Sequence, residues 1–168
     1  LRLPLAPARI EIEAGFAFGM TYPGTLTPGV SRALPARRFT SLAAVPGLAG
    51  PLDLACLRVA PPLEEVVQLC GVTGPVVVRY PDEGWAAQID WDRALLPSCL
   101  IWIGGGGIAE APWRNRFFGL GVEPIAAAFD LAPAASAGDN PLARAGLATA
   151  LDFAAGQART IVSRIELF

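Results

Sequence analysis

Residues 65–92, EVVQLCGVTGPVVVRYPDEGWAAQIDWD, decide the fold class. EVVQLCGV and PVVVRY are rich in β-branched residues, which suit a pleated surface, and a Thr-Gly-Pro turn separates them. Asp82-Glu83-Gly84 then turns the chain into WAAQIDWD, where Trp85, Ala87, Ile89 and Trp91 alternate with Gln88, Asp90 and Asp92. A period of two puts these sets on opposite faces of a strand, so the stretch predicts a hairpin with its polar face outward.

The same grammar extends in both directions. Leu1–Leu5 and Arg9–Ala14 alternate charged and apolar residues as half-buried strands do, and SCLIWI at 98–103 reads as a fully apolar strand. At the far end, Ile161, Ser163, Ile165 and Leu167 alternate with Thr160, Val162, Arg164 and Glu166, predicting a last strand that closes the sheet. Residues 15–62 read as loop with short extended pieces, and 131–146 as a long loop of small and polar residues. Gly104–Gly107 lack the Lys-Ser/Thr of a phosphate-binding loop and read as a flexible rim. Frequent strands, turn residues between them and no amphipathic helix predict an all-β, antiparallel β-sandwich, with 1–168 as a single domain.

Composition narrows the function. The chain has 168 residues, is 53% hydrophobic and carries a net charge of −2, enough apolar material for one buried core. Every basic residue is arginine, and they are scattered without a basic patch, which argues against a nucleic-acid partner. No apolar run reaches the length of a membrane span. Histidine is absent, which removes the commonest general acid/base and most zinc sites. No cofactor motif and no metal site are read. Cys56, Cys70 and Cys99 are too few and too widely spaced for a disulfide framework, and predict buried thiols in a reducing, cytoplasmic setting.

Glu123 stands alone as an ionisable group in the apolar run FFGLGVEPIAAAF. A lone carboxylate in such surroundings needs a partner or a pocket. It either pairs with Arg114 or Arg116 or faces a cleft, where carboxyl groups with raised pKa concentrate.

In order, the segments YPDEGWAAQIDWD, LLPSCLIWI, PWRNRFFGLGVEP, DNPLARAGLATALDFAAGQ and the alternating last strand resemble the C-terminal half of the aldose 1-epimerase (galactose mutarotase) superfamily. The resemblance covers about Leu63 to Leu167. It implies a large mutarotase-like supersandwich, here incomplete, that binds a sugar, a hexose or hexose phosphate, in a groove of one sheet. It also implies that Glu123 is the base for anomer interconversion, and that Glu65, or less readily Glu64, takes the place of an aspartate that holds sugar hydroxyls. Trp113 then either stacks on the sugar ring or covers the sandwich edge, and Arg114 either binds hydroxyls or forms an ion pair. Trp85, Trp91 and Trp102 are expected in the core.

The family's acid is a histidine, which this chain lacks. Two expectations follow: the chain is a piece of a longer protein missing an N-terminal segment, or it is a non-catalytic carbohydrate-binding sandwich. Exposed edges would also support a homo-oligomer.

Overall fold

The computed structural model describes residues 1–5, 9–58, 60 and 62–168. Two antiparallel sheets pack face to face, as the strand pattern predicts. The first has six strands, in the order β1 (Arg2–Pro4), β10 (Phe118–Ile125), β9 (Ser98–Gly105), β6 (Leu63–Val72), β3 (Phe16–Thr21) and β4 (Arg38–Phe39). The second has five, in the order β11 (Ser163–Leu167), β8 (Trp85–Trp91), β7 (Val76–Tyr80), β2 (Arg9–Glu13) and β5 (Cys56–Arg58). Among the described residues no helix is long and apolar enough to cross a membrane.

The main core lies between the sheets. Leu120 and Val122 of β10, Ile101 and Ile103 of β9, and Val67 and Leu69 of β6 face Ile10, Val76, Val78, Ala87 and Ile89 of the other sheet. Each such Leu, Ile or Val side chain contributes about 1.5–3 kcal/mol by leaving water. Tyr80 ties the layers together: its buried hydroxyl donates to the Pro4 carbonyl at 2.6 Å, and burial pushes its pKa up to about 12. The expected hairpin is β7 and β8, paired from Val76↔Ile89 to Tyr80↔Trp85.

A second, smaller core lies on the outer face of the six-stranded sheet. Phe18, Val66, Cys70 and Leu100 point away from the sandwich and are covered by Ala128, Phe129 and Leu142. Gln68, also on this face and fully buried, fastens the cover: its Nε2 donates to the Ala127 carbonyl at 2.9 Å and its Oε1 accepts from the Phe129 N–H at 2.7 Å. The covering segment includes two short helices, α1 (Pro133–Ala137) and α2 (Pro141–Arg144). Each has proline in its first turn, and Asn140 caps α2 by accepting from the Leu142 and Ala143 N–H groups. The sequence reading of 131–146 as loop is therefore corrected.

Three further readings change. The 15–62 region contains β3, an interior strand whose Gly19 lies beneath the Phe39 ring and breaks the alternation that would mark it. Gly104–Gly107 are all buried rather than a flexible rim: a Cβ at Gly107 would come within 2.8 Å of both Glu64 and Val30. β11 does not close the sheet. It lies at the edge, with Ile165 and Leu167 exposed, and 151–162 before it form no strand.

Candidate functional site

Because the six-stranded sheet is covered only in part, a cleft remains on its outer face beside the second core. Alternation along four strands aims side chains into it: Arg2 from β1, Glu123 from β10, Trp102 from β9 and Glu64 from β6. Trp113 and Asp130 reach in from the loops before and after β10. The cleft has a volume of about 420 Å³, within the range of small-molecule sites.

One wall is aromatic. Trp102 and Phe117 stack with ring centroids 4.5 Å apart, and the Trp113 ring stands edge-on to Trp102 at 5.8 Å. Glycines make this possible. A Cβ at Gly104 or at Gly119 would come within 2.6 Å of the Phe117 ring, so the ring rests on bare backbone. The Arg2 guanidinium sits 5.7–6.0 Å from the centroids of all three rings, within cation–π range. Trp102 thus belongs to the cleft wall and not to the sandwich core, whereas Trp91 is in the core and Trp85, partly buried, stacks on Tyr80. The loop that delivers Trp113 turns through Arg114 and Asn115, both left-handed at φ 44° and 58°, a conformation uncommon outside glycine.

The other groups are carboxyls. Glu64 is buried, accepts a hydrogen bond from Trp102 Nε1 at its Oε1 (2.5 Å), and has no partner for Oε2 among the described residues. Burial raises its pKa, the Trp102 N–H offsets part of the rise, and the charge of Glu65 adds to it. Glu123 lies half-buried, in no ion pair among the described residues, with its Oε1 over Gly121. Asp130 neighbours the Tyr22 hydroxyl; burial and this charge raise the tyrosine's pKa.

Of the residues singled out in the sequence, the structure brings Glu123 and Trp113 to the same cleft. Glu65 points the other way, its carboxylate accepting from the Arg32 and Ala33 N–H groups at 2.5 and 3.3 Å. Burial raises its pKa, and those two N–H groups pull it back. Neither glutamate begins a strand at the surface, since both are buried. Arg114 is exposed and does not line the cleft.

Arg2, Trp102 and Asp130 were not read as site residues. Arg2 and Glu123 approach only through the β1–β10 pairing, where Arg2 stands opposite Gly121. One signal is available for Trp102: its position two residues before Gly104, in a strand that runs directly into four glycines.

A second cavity, of about 170 Å³, lies beneath α1 and α2 and is lined mainly by apolar groups such as Met20, Ala128 and Phe129. Among the described residues it brings together no acid/base pair. Among the described residues, no cluster of acidic and cysteine side chains is arranged to hold a metal ion. Comparison with protein-family models, with curated proteins and with solved structures finds no match to this chain.

Proposed function

We propose that the outer-face cleft binds a hexose-sized sugar and that the protein is aldose 1-epimerase-like, with Glu123 as the base. The observation that carries this reading is the convergence of an aromatic wall, Trp102 and Trp113, with the carboxyls of Glu64, Glu123 and Asp130 in one cleft. Sugars present apolar C–H faces that stack on aromatic rings and hydroxyls that donate to carboxylates. Even with Glu64 protonated, Glu123 and Asp130 outnumber the one guanidinium of Arg2 and disfavour a phosphate, so the free hexose is the better ligand.

Anomer interconversion needs a base to take the anomeric hydroxyl proton and an acid to protonate the ring oxygen. Glu123, partly open to solvent, suits the base. Glu64, whose carboxyl holds its proton more tightly than an ordinary one, suits the acid that a histidine would otherwise supply. A buried carboxyl that keeps its proton beside a more solvated one forms a usable acid/base pair.

The absence of histidine favours a second reading, a non-catalytic sugar-binding sandwich. Titration calorimetry with glucose and galactose, paired with polarimetry of freshly dissolved α-anomers, tests both. Binding with accelerated mutarotation that Glu123→Gln abolishes supports the epimerase. Binding that survives that change, with no acceleration in either protein, supports the module; no heat with either sugar removes both. The three free cysteines motivate a cytoplasmic location as part of the same proposal.

A further inference from the structure

The exposed large hydrophobics are concentrated in one stretch of the chain, residues 153–168. Among the described residues, nine large hydrophobics are exposed, and Phe153, Ile161, Val162, Ile165, Leu167 and Phe168 account for six of them. The last three lie in or directly after β11, an edge strand of the five-stranded sheet. The other edge strands, β1, β4 and β5, have three residues or fewer, whereas β11 has five. Ile165 and Leu167 stand opposite Ile89 and Ala87 of β8, which are buried between the sheets, yet are themselves 52% and 70% exposed. A long edge with an uncovered apolar face is a template for another strand.

The backbone shows which groups remain open. Phe168 exchanges two hydrogen bonds with Ala86, and the Val162 carbonyl accepts from the Asp92 N–H. Even-numbered residues therefore turn their N–H and C=O groups towards β8. By strand alternation, Ser163, Ile165 and Leu167 turn theirs to the open edge. An added antiparallel strand must pair with these three.

Side-chain charge then selects the partner. We propose that β11 pairs antiparallel with β11 of a second copy of this chain, about a two-fold axis through Ile165. In that register Ile165 meets Ile165, Ser163 meets Leu167, and Arg164 meets Glu166 twice. The three outward residues of each strand form about six backbone hydrogen bonds across the axis. Shifting the axis to residue 164 sets Arg164 against Arg164, and shifting it to 166 sets Glu166 against Glu166; like charges directly opposite are destabilising. SRIEL is thus electrostatically self-complementary in one register that its hydrogen bonding also permits. Arg164 and Glu166 already meet within the strand at 2.8 Å, on the face they would share with the partner's pair. An isologous contact of this kind closes as a dimer and leaves no further β11 edge open.

Light scattering and sedimentation over a concentration series up to about 1 mM, the weak limit of specific association, test the proposal. The expected particle has twice the 17.5 kDa mass of one chain. Arg164→Glu places Glu opposite Glu, and Glu166→Arg places Arg opposite Arg, so each variant alone is a monomer. Mixed in equal amounts they regain attractive pairs and form a heterodimer, which neither makes alone. Ile165→Pro removes an open-edge N–H without removing a hydrogen bond to β8, and is monomeric with an unchanged far-UV spectrum. A wild-type monomer throughout, dimers of either single charge variant, or a mixture that stays monomeric would each overturn the pairing.

Discussion

The indole of Trp102 donates its only N–H to Oε1 of Glu64, across 2.5 Å, while Oε2 of the same buried carboxyl has no partner among the described residues. This pair joins the aromatic wall of the cleft to its least solvated acid, and it gives the protein a pH dependence of definite sign. Burial holds the Glu64 proton more tightly in the folded chain than in the unfolded one. The folded state therefore binds more protons as pH rises out of the ordinary carboxylate range, and stability falls through that window. Glu65 shifts in the same direction and adds to the fall. The melting temperature, followed from about pH 4 to about pH 8, should decline less steeply in Glu64→Gln than in wild type. Identical slopes would show that Glu64 titrates normally.

Gly119 is predicted to be intolerant for a reason specific to the cleft. An added methyl would meet the Phe117 ring at 2.6 Å and displace it from Trp102. Gly119→Ala should shift tryptophan emission to longer wavelength, with a loss of about 1–3 kcal/mol in stability. An unchanged emission maximum would mean that the ring finds another seat.

Gln68 should matter more than an ordinary polar residue. Truncation to alanine leaves the Ala127 carbonyl and the Phe129 N–H without their side-chain partner beneath the cover. Buried groups left so cost about 1–3 kcal/mol each, so urea unfolding of Gln68→Ala should lose about 2–6 kcal/mol. A loss no larger than that of a surface substitution would show that the cover is held by apolar contacts alone.

The three thiols should separate by reactivity. Burial pushes Cys70 and Cys99 up to about 12, whereas Cys56 is partly exposed at the β5 edge. The thiolate is the reactive form. One equivalent of a disulfide reagent should react with the native protein at neutral pH, and the other two only in denaturant. Fast reaction of more than one thiol would mean that the core opens readily.

Much of the fold was legible because its signals are local. The β7–β8 hairpin shows in a run of β-branched residues, a Gly-containing turn and an alternating partner, all within neighbouring residues. Glu123 likewise stood out as a single charge in an apolar run, and it lies in the cleft with Trp113.

What escaped depends on distant contacts. β6 is apolar on both faces because it has a core on each side, so nothing in LEEVVQLCGV shows that Glu64 faces the cleft and Glu65 faces the 32–33 loop. That choice is made by strand register and by the 126–147 cover, which returns from far along the chain to close over Gln68. The glycines at 104–107 look like a flexible loop until Phe117, Glu64 and Val30 are packed against them. The last strand has a regular alternation, but alternation cannot say whether a facing sheet extends far enough to cover it. The sequence by itself determined an antiparallel sandwich and a lone acid, since strand periodicity and burial cost are properties of short segments. Only the tertiary structure decided which acids share a cleft and which edge stays open, because both depend on how sheets of unequal width are laid over one another.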